Sequence, residues 1–113
     1  MHELSLATSL VEQVENILKE RDFRKVITVS VSMGKFSGVE RESFEFCFPL
    51  VCEGTLVEGA KLEVVEVPVT LECQSCSKKT VIEEPVLVCG SCGSSSVQIV
   101  AGREFVISSL EVE

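Results

Sequence analysis

Apolar residues recur at helical spacing over residues 3–21, and polar residues take the opposite side. Glu3 at the start of this stretch and Lys19 and Arg21 at its end suit the dipole of a helix. The pattern predicts an amphipathic helix over residues 3–21, which places His2 immediately before its amino terminus. Its apolar stripe consists of Leu4, Ala7, Leu10, Val11, Val14, Ile17 and Leu18.

Strand-like alternation of apolar and polar residues occurs in three further stretches. Residues 25–33 alternate with Ile27, Val29, Val31 and Met33 on one side. Residues 60–71 predict a second strand, and Pro68 marks the point where this strand leaves the sheet. A last strand is predicted around residues 103–110.

Residues 39–52 fit two interpretations. Phe44, Phe46 and Phe48 alternate as in a strand, whereas Phe44 and Phe48 share a helical face with Val51. Pro49 is unfavourable in either a strand or a helix, and proline in a helix interior costs about 3 kcal/mol. The length and the acidic start favour a helix that is kinked or ended near Pro49, with Gly54 as its carboxyl-terminal cap.

Cys73-x-x-Cys76 and Cys89-x-x-Cys92 are separated by twelve residues. Two such turns can aim four thiolates at one point, which is the geometry of a closed, structural Zn²⁺ site.

The order of the predicted helices and strands indicates an α+β fold. A small domain of two helices and a three-stranded, mainly antiparallel sheet spans residues 1–68 plus 98–113, and a zinc-ribbon lobe is inserted at residues 69–97.

Composition and charge limit the kinds of partner that the chain is expected to bind and the cellular compartment in which it is expected. The 18 acids exceed the 10 bases, and the net charge of −8 disfavours binding to nucleic acid or to an anionic membrane. Glu3, Glu12 and Glu15 interrupt the first apolar stretch, which argues against a secretory signal, and no run reaches the roughly 18 apolar residues of a membrane span. Six cysteines without such a signal indicate a reducing compartment, and we expect the cytoplasm.

His2 is the only histidine of the chain. The amine of Met1, the backbone nitrogen of His2 and its imidazole could together chelate Ni²⁺ or Cu²⁺ in square-planar geometry, and Glu3 could add a ligand. Residue spacing alone favours an incidental histidine. Glu40 fits a supplementary oxygen ligand, although a solvated acid at a helix start is the simpler account.

Enzymatic activity is not expected. No second histidine can form a dyad with a cysteine, no phosphate-binding loop is present, and four cysteines close the coordination shell of a zinc ion. Cys47 and Cys52 are interpreted as buried free thiols in preference to a redox pair or auxiliary metal ligands.

Three stretches together resemble the HypA/HybF family of nickel-insertion accessory proteins for [NiFe]-hydrogenase. They are the start Met1-His2-Glu3, the segment from Gly34-Lys35-Phe36-Ser37-Gly38 through Glu40 to Gly54-Thr55, and the two cysteine pairs. The resemblance implies a nickel-binding domain (residues 1–68 plus 98–113) beside a zinc-ribbon domain (residues 69–97). It implies that Met1, His2 and Glu3 form the nickel site, with His2 the essential ligand, and it assigns Cys73, Cys76, Cys89 and Cys92 to structural zinc.

The resemblance also implies a function. Members receive Ni²⁺ and pass it to the hydrogenase large subunit together with a GTPase partner, which fits the missing phosphate loop, and some relatives serve urease maturation. Self-association to a dimer is compatible with the sequence. Two other functions are left open. The first is a zinc-ribbon module that binds proteins or nucleic acid through Lys78 and Lys79. The second is a redox protein that uses iron in the cysteine quartet or the thiols of Cys47 and Cys52.

Overall fold

The computed structural model describes residues 3–113 of the chain, which form two helices and six strands. The elements are α1 (Glu3–Arg21), β1 (Val26–Gly34), α2 (Arg41–Cys52), β2 (Lys61–Val67), β3 (Val69–Cys73), β4 (Lys79–Ile82), β5 (Val97–Ala101) and β6 (Phe105–Val112). The strands make two three-stranded sheets, in the orders β2-β1-β6 and β4-β3-β5. The predicted α+β class is confirmed.

The chain separates into two compact units. The first contains the chain up to Val31 together with Val39–Val65 and Val106–Glu113, and the second contains Ser32–Gly38 and Glu66–Phe105. The first unit therefore holds both helices, and the second holds the sheet β4-β3-β5 and all four cysteines of the paired motifs. Within residues 3–113, no helix has both the length and the apolar character needed to cross a membrane.

Helix α1 has the predicted bounds. Most of its predicted apolar stripe is buried, but Leu4 is exposed and Ile17 is only half-buried, whereas Glu3 at the start is buried. The helix ends because Asp22 adopts a left-handed conformation (φ 57°), which lets the N–H of Phe23 donate to the carbonyl of Leu18. An aspartate tolerates this conformation better than most residues.

Residues 41–52 form a helix, as the length and acidic start predicted. Phe44, Phe48 and Cys52 recur every four residues on its buried face, and the two phenylalanine rings lie 6.1 Å apart. Phe46 is 72% exposed, so the strand-like alternation of the three phenylalanines is coincidental. The helix continues three residues beyond Pro49 and ends at Cys52. Gly54 follows with a positive φ of 76°.

The prediction of one strand over residues 60–71 is wrong. Pro68 divides this stretch into β2 and β3, which belong to different sheets. Proline has no N–H to donate to a ladder, so pairing stops there and the chain can enter a second sheet. The short strands β4 and β5 were not predicted, and the last strand lies about two residues later than expected, at Phe105–Val112.

Strand β1 also departs from simple alternation. Val29, Val31 and Met33 are buried as predicted, but Ile27 is 42% exposed and Thr28 is buried. The hydroxyl of Thr28 donates to Oε1 of Glu111 at 3.0 Å, which satisfies the buried polar group.

Candidate metal centre

The two Cys-x-x-Cys motifs bring their four sulfurs together. Cys73 ends β3, and the Sγ atoms of all four cysteines lie within 4.8 Å of one another. The Sγ atoms of Cys73 and Cys92 are 3.6 Å apart, as are those of Cys76 and Cys89. Tetrahedral zinc with Zn–S bonds of about 2.3 Å requires sulfurs about 3.8 Å apart. The quartet therefore has the spacing of a tetrahedral Zn²⁺ site.

Each cysteine pair lies in the same kind of turn. The N–H groups of Ser75 and Cys76 donate to Sγ of Cys73 at 3.3 and 3.4 Å. In the second turn, the N–H groups of Ser91 and Cys92 donate to Sγ of Cys89, both at 3.4 Å. The backbone thus directs two donors at the first sulfur of each pair.

The residue after each pair closes its turn in a left-handed conformation. The N–H of Gly93 (φ 73°) donates to the carbonyl of Cys89 at 2.9 Å, and that of Ser77 (φ 63°) donates to the carbonyl of Cys73 at 3.0 Å. Ser77 thus occupies the position that glycine holds in the second turn. Since a side chain disfavours this conformation, the first turn carries strain that the second avoids.

The four thiols fall into two classes, one with a lowered and one with a raised pKa. The N–H groups of Cys92 and Ser91 lower the pKa of Cys89 to about 6, and those of Cys76 and Ser75 lower the pKa of Cys73. The N–H of Ser94 acts in the same direction on Cys92, but its neighbours Cys73 and Cys89 outweigh it and raise the pKa of Cys92 to about 11. Each turn therefore contains one thiol with a lowered pKa, and metal binding must displace the protons that the thiols still hold.

The donor set and geometry fit Zn²⁺, held by Cys73, Cys76, Cys89 and Cys92. Four thiolates leave no open position for a substrate, so the ion would stabilise the second unit and perform no catalysis. Over residues 3–113, these cysteines are the only group of three or more His, Cys, Asp or Glu side chains close enough together to hold an ion.

Among the residues predicted for nickel, Glu3 and Glu40 lie together. The side chain of Glu3 is 5% exposed, and its Oε2 accepts a hydrogen bond from the backbone N–H of Glu40 at 3.2 Å. Met1 and His2 lie outside the described residues. No residue pattern predicts this hydrogen bond, because its donor is a backbone group of a residue distant along the chain.

The carboxylate of Glu40 is exposed and lies immediately before α2. Its Oε1 accepts a hydrogen bond from the hydroxyl of Ser43 at 3.2 Å, and its side chain does not cap the helix. An acid at this position still benefits from the partial positive charge of the helix amino terminus.

Cys47 and Cys52 are both free thiols on α2. Cys52 is buried, and burial raises its pKa to about 11, whereas Cys47 is only half-buried. The predicted buried thiol is therefore confirmed for Cys52 alone.

Comparison with known proteins identifies the family. The family model described as "Hydrogenase/urease nickel incorporation, metallochaperone, hypA" matches residues 1–112. The hydrogenase maturation factor HypA of Chlorobium limicola is 36% identical over 113 residues, covering 100% of this chain and 97% of its own length. Hydrogenase maturation factor HypA 2 of Bradyrhizobium diazoefficiens is 39% identical, with 100% of both chains covered.

Solved structures of proteins from the same family also match this chain. The solution structure of the Ni metallochaperone HypA from Helicobacter pylori matches with a TM-score of 0.73 at 33% identity, covering 99% of this chain and 97% of that one. A second solution structure, of a HypA protein, matches with a TM-score of 0.77 at 33% identity, covering 100% and 97%. Members of this family are maturation factors, which agrees with the prediction that the chain is not an enzyme. The chain belongs to the HypA family of nickel metallochaperones for hydrogenase maturation.

Proposed function

We propose that this chain binds one Ni²⁺ through Met1, His2 and Glu3 and delivers it to the large subunit of [NiFe]-hydrogenase together with a GTPase partner. The observation that carries the proposal is the hydrogen bond between the buried Glu3 carboxylate and the N–H of Glu40. It anchors the residue that directly follows His2 to the backbone of Glu40.

The ligand chemistry suits a metal in transit. Nitrogen donors from an amine, a deprotonated amide and an imidazole favour Ni²⁺ and Cu²⁺ over the more abundant hard cations. A site with few protein ligands at the start of the chain can release its metal more readily than a closed cage. Because the amine, the amide and a protonated imidazole must each lose a proton to bind the ion, nickel affinity is expected to fall as the pH drops.

Glu3 and Glu40 have different parts in this proposal. Oε2 of Glu3 already accepts the N–H of Glu40, so we assign Glu3 mainly to positioning and to negative charge beside the ion. Glu40 is exposed and remains a supplementary oxygen ligand.

The remaining assignments follow from the same function. Zn²⁺ at Cys73, Cys76, Cys89 and Cys92 is structural, and Ni²⁺ is the cargo. A hydrogenase maturation factor acts with the maturation machinery of that enzyme. We propose contact with the large subunit and with a GTPase, self-association to a dimer, action in the cytoplasm, and no role for nucleic acid or membrane.

Nickel titration by calorimetry, with zinc quantified in the same samples, tests the proposal. His2→Ala is expected to abolish nickel binding while zinc stays at one per chain. Glu40→Gln is expected to weaken binding only slightly, and extra residues before Met1 should weaken it by removing the free amine. Unchanged nickel affinity in His2→Ala would refute the site.

A further inference from the structure

A shallow groove of about 380 Å³ lies in the second unit between β4 and the segment that leads to the second cysteine pair. Residues 83–88 form this segment, which we call the connector. Residues of both stretches line the groove. Its lining includes Thr80, Ile82, Val86, Val88 and Gly90.

The connector exposes an unusual amount of apolar surface. Val86, Leu87 and Val88 are consecutive and are 54%, 44% and 40% exposed. Scattered exposed aliphatic residues are ordinary, but a contiguous set beside a groove is typical of an interaction site.

Backbone contacts hold the groove in shape. The N–H of Val86 donates to the carbonyl of Glu84 at 2.7 Å, and the N–H of Val88 donates to the carbonyl of Val86 at 3.1 Å. At the other end, the N–H of Gly90 donates to Oγ1 of Thr80 at 3.1 Å. A Cβ at Gly90 would lie only 3.0 Å from Cγ2 of Thr80, so glycine permits this close approach. A preformed groove costs a ligand less ordering free energy than a flexible one.

The charge around the groove indicates what it can hold. Glu83 and Glu84 also line it, both are exposed, and neither forms an ion pair with another described residue. The chain as a whole carries a net charge of −8. A second copy docked symmetrically here would bring these acids against themselves, and a polyanion would be repelled.

We propose that this groove docks a peptide segment of a partner protein in which an aliphatic side chain neighbours a lysine or arginine. The aliphatic side chain packs against Ile82, Val86 and Val88, and the cation meets the carboxylates of Glu83 and Glu84. Apolar burial supplies affinity, and the charges select the partner. The nickel residues take no part, so this proposal stands or falls separately from nickel binding.

The test uses the zinc-loaded, ¹⁵N-labelled chain and two synthetic heptapeptides. One peptide carries leucine flanked by lysines, and in the other glutamates replace the lysines. The lysine peptide is expected to shift amide signals within residues 80–90 and to bind more weakly as salt is added. The glutamate peptide is expected not to bind.

Matched variants locate the binding. Val86→Ser should weaken the lysine peptide at least fivefold. Val81→Ser should leave it unchanged, because Val81 is 62% exposed yet points to the other face of β4. The double variant Glu83→Gln, Glu84→Gln should weaken binding of the lysine peptide and reduce its salt dependence. If Val86→Ser does not fold, the double variant tests the proposed docking site in its place.

Several results would overturn the proposal. They are shifts that map outside residues 80–90, equal binding of both peptides, equal effects of Val86→Ser and Val81→Ser, or no binding of either peptide at millimolar concentration. Amide dispersion and zinc content establish that each variant is folded.

Discussion

The carboxylate of Glu3 and the backbone N–H of Glu40 are joined by a 3.2 Å hydrogen bond across 37 positions of the chain. Glu3 begins α1, and Glu40 precedes α2 directly. A buried carboxylate at this place is stabilised by the positive ends of two helix dipoles as well as by the bond itself. The arrangement ties the two helix starts together next to the residue proposed to hold nickel.

Loss of this bond should destabilise the protein. Glu3→Ala leaves the N–H of Glu40 without its acceptor and is expected to lower the free energy of unfolding by about 1–3 kcal/mol. Urea unfolding of the zinc-loaded protein measures the change.

Glu3→Gln is the matched control, because an amide oxygen can still accept the N–H while the charge is gone. It should cost less than Glu3→Ala, and any loss of nickel affinity in Glu3→Gln would then report the charge. Equal destabilisation by the two variants would show that the hydrogen bond contributes little.

Zinc removal should unfold the second unit selectively. Apart from its cysteines, that unit buries few side chains, among them Met33, Val69 and Leu71, and so small a core depends on its metal. Cys76→Ser or chelation is expected to collapse the amide dispersion of residues 69–101. Most helical signal in the far-ultraviolet circular dichroism should remain, since both helices lie in the first unit.

Cys47→Ser serves as the control for that experiment. It removes a thiol outside the quartet and should retain one zinc per chain. Retention of zinc by Cys76→Ser, or loss of the helices together with the metal, would contradict the prediction.

Periodicity predicted those elements whose burial follows a single face. Helix α1 is the clearest case, because most of its predicted apolar stripe is buried on one side. The burial pattern of β1 departs from the predicted alternation at Ile27 and Thr28. The hydroxyl of Thr28 can be buried because it donates a hydrogen bond to Glu111. No periodicity can reveal such a partner.

The zinc quartet was predictable because its spacing is local, whereas the sheet around it was not. Strands β4 and β5 have only four and five residues, and tertiary pairing with β3 decides their conformation. Pro68 correctly marked the point where the chain leaves the sheet of β2, but the pattern did not show that the chain then enters a second sheet as β3. The bond from Glu40 to Glu3 lay beyond prediction for the same reason, as it depends on how the helices pack.

Burial of the Cys52 thiol should make stability depend on alkaline pH. Burial raises its pKa from the ordinary 9.0 to about 11. Below pH 9 the thiol is protonated in both states. Between pH 9 and 11 it ionises only when the chain unfolds, so the stabilising contribution is lost as the pH rises.

Urea unfolding across that range is expected to show a steeper loss of stability in the wild type than in Cys52→Ala. Cys47→Ala removes the other thiol of the same helix and serves as the control for the loss of a thiol side chain. Identical slopes in the wild type and Cys52→Ala would rule out the effect.

Two glycines of the second unit let three backbone segments meet. The N–H of Phe36 donates to the carbonyl of Gly102 at 2.7 Å, and a Cβ at Gly34 would overlap that same carbonyl group. Gly102 has a φ of 109°, and a Cβ there would lie 2.6 Å from Cα of Val69. Neither clash can be relieved by turning a side chain, because the opposing atoms are backbone.

Gly34→Ala is therefore expected to lower the free energy of unfolding by about 3 kcal/mol or more. Gly38→Ala is the matched control: its φ of 82° carries the left-handed penalty, but nothing lies within 4 Å of the new Cβ. That variant should cost about 1–2 kcal/mol. Urea unfolding of both zinc-loaded variants separates steric overlap from backbone conformation, and equal losses would mean that the close approach at Gly34 relaxes without cost.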